Sequence, residues 1–459
     1  MKHGFVRTMG FLMAAVLLLA MVLPAQAATT GKSGRFSYSM KGNGTLKITA
    51  FDWDGYEDGA DIVIPQMIDG FTVTEIGSLA FSQGDMDYER VELPFYEHYA
   101  WNATLIIPNT VTTVGEKAFF NTSIGIVNIP ASVEYIGAAA FCTMSLKRVT
   151  VDPSNKNYAS IDGSLYSKKD KELLALGSET SKVPNGIISL GEFSCVQNDE
   201  NKYFLYSINK VLPCDTIEII KDFAFYDNRF FSIDSGEEIS PYGEGSKGGR
   251  ILEWKNVKRV GKYAFARTKS LFSMDDIYTL RFTNKLETIG EGCFYGAKVY
   301  CILNDCRQLT IIPERAFEGG EVSLYLPDSI EKIDNRAFAG AELRVNNDAK
   351  LKIIGDQVFY KAMIRGWVKT GINIYDSTTM DYSEGGFLGN VESIGSEAFY
   401  ETNIETVAIP ASCVYIGDNA FDKVSVKLKV QPGSYAERWA QDNGCTYDNG
   451  IKADTSWLN

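Results

Sequence analysis

Histidine is almost missing from this chain, with two in 459 residues. One of them, His3, lies in the apolar leader described below, which leaves His98 alone. A single histidine excludes an HExxH helix and any multi-histidine metal site. The chain also lacks a G-x-S-x-G elbow, a Walker-type loop and any CxxC pair, so the usual signatures of serine hydrolysis, nucleotide binding and structural zinc are absent. No basic tract interrupts a chain of formal net charge −13, and removal of the leader, which carries Lys2 and Arg7 but no acid, makes it more negative. That balance argues against nucleic acid and anionic membranes as partners. Carboxylates are plentiful, as a glycosidase pair requires, but no spacing singles out two of them. The reading is of a non-enzyme without a cofactor or metal.

What is present is repetition. From Leu309 to Phe359 one phrase occurs three times, as LTIIPERAF, SIEKIDNRAF and KLKIIGDQVF, with Ile312, Ile333 and Ile354 spaced 21 residues apart. The pattern apolar-x-x-[IV]-[GPD]-x-x-A-F recurs with anchors at Ile76, Val114, Ile136, Ile220, Val260, Ile289, Ile394 and Ile416, and in damaged form at Leu190. One repeat cannot bury its apolar edge alone. Stacked repeats line equivalent side chains into ladders, with a Phe spine from Phe81 to Phe421 and a small Ala before each Phe, replaced by Cys293 and Val358. Because Pro313 holds a place usually taken by Gly, positive φ is excluded there, and Gly, Pro or Asp is expected to open a single helical turn. The phrases LIIP (Leu105 to Pro108), VNIP (Val127 to Pro130), LYLP (Leu324 to Pro327) and VAIP (Val407 to Pro410) predict a second strand per repeat. Two parallel sheets are expected along the whole molecule.

The ends differ. Met1 to Ala27 joins Lys2 and Arg7 to an apolar run, Phe11 to Leu23, and closes on Ala25-Gln26-Ala27, the layout of a secretory signal cut near Ala27. The run is short for a retained anchor. Residues 28–71 read as an amino-terminal β cap, with FSYSM and TLKITAF forming a hairpin about Gly-Asn-Gly. The acids Asp52, Asp54, Glu57, Asp58 and Asp61 lack the EF-hand spacing and read as a solvated hairpin end. Ser434 is placed to cap a helix that carries Ala436, Trp439 and Ala440 on one face and ends at Asn443-Gly444, opening a carboxy-terminal cap and tail over 431–459. An even number of cysteines in an exported chain invites a disulfide reading. Cys293 and Cys413, however, occupy core places of the repeat and are expected as free thiols, while the relation of Cys301 to Cys306 stays open.

The phrases IPASVEYIGAAAF (Ile129 to Phe141) and IPASCVYIGDNAF (Ile409 to Phe421) resemble the BspA-type leucine-rich repeat family. The segment VDPSNKNYASIDGSLYSKKDKELLAL (Val151 to Leu176) resembles a hairpin insertion common there. The resemblance implies a right-handed-type stack of coils over residues 72–430, a leucine-rich-repeat solenoid with parallel β-sheets and short helical turns, flanked by the two caps. It also implies a bacterial secreted or cell-surface protein linked to adhesion or to binding a host or matrix protein. It brings no catalytic residues, since a fold alone does not assign function.

The array departs from regularity at insertions spanning 84–102, 151–182, 227–250 and 366–390. Apart from 151–182, the hairpin named above, most extra residues fall after the Phe and before the next strand, so they are expected on one edge, where repeat scaffolds recognise partners. The first insertion holds Tyr88, Phe95, Tyr96, His98, Tyr99 and Trp101. Clustered aromatics with polar tips anchor a protein partner or stack on a sugar, and they also serve simply to pack a loop onto its scaffold. Protein binding is the leading expectation. A glycan-binding or glycan-processing role through Tyr88 to Trp101 is the alternative, and a structural spacer is the third reading.

Overall fold

A computed structural model describes residues 30–57, 59–84, 87, 103–143, 146–196, 211, 214–227, 229–230, 251–270, 279–346, 350–369, 372–374, 379–380 and 388–449. It is a repeat fold of parallel strands in sheets with almost no helix. A repeat supplies a short strand ending on its anchor, two residues long in all but the first (Phe71–Ile76), then a tight turn, and in most repeats a second strand. Ile76, Val114 and Ile136 stand in register through parallel pairs, as do Ile312, Ile333, Ile354, Ile394 and Ile416. The second strands pair likewise, for example Glu321–Tyr325 between Lys298–Ile302 and Glu342–Asn346. The core lies between these two sets of strands. It is filled by the anchors, by the apolar residue three before each, and by the Phe that follows.

The segment expected as a helical turn is instead a ladder of turns. The third residue after every anchor has positive φ, from Leu79 (58°) through Arg336 (58°) to Asn419 (51°). In eight repeats so does the seventh, including Asn121, Asp227 and Lys361. A helix cannot contain such residues, because the left-handed region costs an L-residue about 1–2 kcal/mol. Hydrogen bonding explains why the chain accepts them. In the repeat of Ile312 the N–H groups of Arg315, Phe317 and Gly319 donate across to the carbonyls of Asn335, Ala337 and Ala339 at 2.8–3.1 Å. Those of Ala316, Glu318 and Gly320 donate back within the same turn. Alternating backbone direction lets every second amide reach the neighbouring repeat, so buried polar groups are satisfied without helix or sheet. None of the glycines directly after an anchor has positive φ. Gly115 is needed for closeness: a Cβ there would lie 2.4 Å from the Ser78 nitrogen of the preceding repeat.

The sheets are also not continuous, as they were expected to be. The anchor strands fall into three segments, and one break lies between Thr288–Ile289 and Ile311–Ile312. In other repeats the N–H after the anchor donates to the previous anchor's carbonyl, as Gly115 does to Ile76 at 2.8 Å. Pro313 has no N–H to give. The turn ladder crosses this break intact, with Gly292 N donating to Glu314 O and Phe294 N to Ala316 O. The other break follows Tyr135–Ile136. Here the Ile136 N–H donates to the Tyr158 hydroxyl at 2.7 Å, and the antiparallel strands Tyr158–Ile161, Ser164–Ser167 and Glu172–Ala175 intervene before Ser189–Leu190.

At the amino end β1 (Thr30–Ser33), β2 (Phe36–Met40) and β3 (Leu46–Phe51) form an antiparallel meander that joins the anchor sheet. After β4 (Ile62–Val63), which starts the second sheet, β5 (Met67–Ile68) turns back onto β6 (Phe71–Ile76), the first anchor strand. The acidic stretch at this end is tied down by one ion pair and by hydrogen bonds to the backbone. Asp52 pairs with Lys32 at 2.8 Å, and the Asp61 carboxylate accepts the Thr104 N–H at 2.9 Å. The Arg35 guanidinium donates to the carbonyls of Asp52, Asp54 and Gly55. At the other end α1 (Tyr435–Asn443) starts at Ser434, whose side chain accepts from Glu437 N. It ends at Gly444 (φ 69°) and buries Ala436, Trp439 and Ala440.

Candidate binding edge

The phenylalanines stack inside the turn ladder about one strand spacing apart: Phe294–Phe317 5.1 Å, Phe317–Phe338 5.3 Å and Phe338–Phe359 5.5 Å between centroids. The damaged repeat interrupts the column, since Cys195 stands where a Phe would. There Phe193, at the positive-φ position, stacks on Phe223 at 4.7 Å, and Phe223 stacks on Tyr263 at 5.3 Å. With Phe120, Tyr226 and Ala266 they form a second, outer apolar cluster.

Further along, the same outer row becomes polar. Arg315 Nη1 donates to the Tyr263 hydroxyl (3.2 Å) and Arg315 Nε to Glu318 Oε2 (2.7 Å). Arg336 Nη2 donates to Glu318 Oε1 (2.6 Å) and Arg336 Nη1 to Gln357 Oε1 (2.6 Å). Gln357 Nε2 then reaches Glu397 Oε2 at 2.6 Å. Burial above all pushes the Tyr263 phenol up to about 12, against the pull of Arg315. One edge of the molecule therefore runs from stacked aromatics into a charged relay. Sequence reading missed this row, although its signal was there: the third place after the anchor ranges over Leu79, Lys117, Phe193, Tyr263 and Arg336 while the place after it is nearly always Ala.

The insertions fall between the turn ladder of one repeat and the anchor strand of the next. After the first the described chain resumes at Ala103–Ile106, and in the second the strand Arg229–Phe230, paired with Lys269–Ser270, precedes residues 231–250 while Ile251–Trp254 follows them. In the third insertion Met363–Lys369 runs on from the second sheet and Ile372–Ile374 folds back against it. The predicted site residues Tyr88, Phe95, Tyr96, His98, Tyr99 and Trp101 all lie outside the described residues.

Among the described residues no group of three or more His, Cys, Asp or Glu side chains is placed to hold a metal. No described helix is long and apolar enough to cross a membrane. All eight cysteines are free, seven of them buried and Cys142 partly so, including Cys293, Cys413, Cys301 and Cys306. Burial pushes the Cys142 thiol up to about 12 and the Cys413 thiol up to about 11. Thiols so raised are poor nucleophiles at neutral pH.

Stacked parallel strands, a Phe column and a recurring turn define a leucine-rich-repeat protein. The family model for the BspA type leucine rich repeat region matches six copies, over residues 94–185, 250–365 and 377–430, more than half of the chain. The chain belongs to this family. Among solved structures it is similar to a leucine-rich repeat protein from Eubacterium ventriosum, 17% identical, covering 81% of this chain and 94% of that one with a TM-score of 0.40. It is similar also to a leucine rich cell surface protein from Faecalibacterium prausnitzii, 13% identical, covering 94% and 97% with a TM-score of 0.30. A third is the pneumococcal vaccine antigen PcpA, 15% identical, covering 92% and 99% with a TM-score of 0.25. No curated protein matches the chain.

Proposed function

We propose that the chain is a non-catalytic binding protein, exported after removal of residues 1–27 and acting in the secreted or surface-displayed state, which holds a partner protein along the edge of its turn ladder. The observation that carries this reading is where the insertions fall in the repeat. Each interrupts the chain between the turn ladder of one repeat and the anchor strand of the next, residues 85–102 before the strand Ala103–Ile106, residues 231–250 after Arg229–Phe230 and the third after Met363–Lys369, and loops so placed on a repeat scaffold are where partners are held. Tyr88, Phe95, Tyr96, His98, Tyr99 and Trp101 are the proposed contact residues in the first loop, since aromatics with polar tips dominate such interfaces. In this reading residues 72–430 form one solenoid, with 28–71 and 431–459 as its caps. The meander β1 to β3 and helix α1 shield apolar ends that would otherwise template aggregation.

Affinity capture from extracellular host proteins, beside a glycan panel, tests the reading with the chain lacking its leader. A variant in which residues 85–102 are replaced by a Gly-Ser linker serves as the comparison. Protein capture by the intact chain that the variant loses is the expected result. Capture unchanged by the deletion would move the site off this edge, and selective glycan capture lost on Tyr99→Ala and Trp101→Ala would replace a protein partner with a sugar.

A further inference from the structure

The meander at the amino end covers only one of the two sheets. Among the described residues β4 is terminal in the second sheet, paired with Ala103–Ile106 on one side only. Ile64 N donates to Ile106 O at 3.0 Å, and strand alternation then turns the N–H and C=O of Val63 to the open side. Next to that edge lies a groove of about 500 Å3, floored by Phe36, Phe51 and Ile68. Its walls include Val63 and Met67, which are 55% and 56% exposed. An open strand edge beside exposed apolar side chains is the arrangement by which sheets take up extended peptides, and natural edges are usually guarded against it.

The groove's charge says which peptide. Asp61 and Asp69 both line it. Among the described residues Asp61 accepts the Thr104 N–H alone, and Asp69 the hydroxyls of Tyr38 (2.7 Å) and Ser33 (2.9 Å). Those two hydrogen bonds, Tyr38 first, hold Asp69 below the usual carboxylate range. Among the described residues neither carboxylate has a cationic partner. The one cation in the lining, Arg35, spends three donors on backbone carbonyls. The open stretch is short, because the Tyr56 hydroxyl takes the Asp61 carbonyl at 2.8 Å and Pro65 has no N–H.

We propose that this groove binds a short extended peptide as an added strand on Val63, with apolar side chains over Phe36 and Ile68 and a basic residue answering Asp61 and Asp69. The site is independent of the insertions, so its test and theirs fail separately. Fluorescence anisotropy of a fluorescein-labelled peptide Lys-Val-Thr-Val-Lys with the purified chain reads it. Saturable binding is expected. N-methylation of the central threonine should weaken it about tenfold by removing one backbone hydrogen bond. Exchange of both lysines for glutamate should weaken it at least as much, and added salt should narrow that difference. The paired variant Asp61→Asn, Asp69→Asn loses both charges; at position 69 one of the two accepting oxygens becomes an amide N–H2, to which the hydroxyl beside it can turn its own oxygen. About tenfold weaker binding at an unchanged melting temperature is expected of it. Absence of saturation, or equal binding of the methylated peptide or by the paired variant, overturns the proposal. So does a concentration-dependent doubling of mass that excludes the probe, which would seat a second copy on the edge.

Discussion

Glu192 is the residue whose surroundings suit it least. Burial leads in raising its carboxyl above the usual range, and Asp222 and Glu116 add repulsion that Lys117 and Lys221 only partly offset. A carboxyl whose folded pKa lies above its unfolded value stabilises the fold below the unfolded pKa, and that contribution is lost as pH rises through the folded one. At neutral pH the ionised group is therefore a liability. Glu192→Gln should raise the thermal midpoint at pH 7, and the gain should vanish as the buffer is taken below about pH 4, near the ordinary carboxylate value. Equal midpoints for the two proteins at pH 7 would contradict this. Composition says nothing of such a residue: in the repeat phrase position 192 is simply a polar place, and the acids that crowd it come from other repeats.

The turn ladder is the element on which the fold depends most. One amide in it, on the second residue after the anchor, faces neither its own turn nor a neighbouring carbonyl, and the previous repeat meets it with a side chain. Asp222 Oδ1 accepts from Lys262 N (2.8 Å), Asn335 Oδ1 from Asp356 N (2.9 Å) and Asp356 Oδ1 from Ser396 N (2.7 Å). Asp356→Ala should cost about 1 kcal/mol, the usual worth of one such bond, while Asp356→Asn should be nearly neutral because Asn335 already serves in that way. Denaturant midpoints of the two variants check the pair, and equal losses would deny the acceptor its role. The recurrence of Phe and of apolar residues around each anchor made the strands and the core legible in the sequence, because burial acts on side-chain type. The turn was misread because left-handed backbone at Leu79, Lys117 or Arg336 is imposed by hydrogen bonds between repeats, and no single residue announces it. The Pro313 break was legible in principle, since only proline lacks the donor that the neighbouring repeats use there. The insertions show in the sequence as excess spacing, while the relay from Tyr263 to Glu397 depends on side chains that become neighbours only after stacking.

At the scale of the whole molecule, each repeat touches its neighbours and little else, so stability is close to a sum of repeat and interface contributions. Ile312, Ile333 and Ile354 carry equal spacing and the same donor pattern. Removing residues 334–354 should bring Ile333 beside Ile394 with Gly355 following it, as Gly follows most anchors. The shortened chain should fold cooperatively, with the strand-rich circular dichroism of the parent and a lower midpoint. A molten product without a cooperative transition would show that contacts beyond nearest neighbours matter.

The eight free thiols set a condition on timing. A chain exported as proposed meets an oxidising surrounding with every sulfur exposed, and eight cysteines allow 105 complete pairings, a number that follows from counting alone. None of these pairings belongs to the structure. Closure of successive repeats must therefore outrun oxidation, and because each closure needs only the repeat beside it, the stack can shut its sulfurs away in order of arrival rather than wait for the chain to finish.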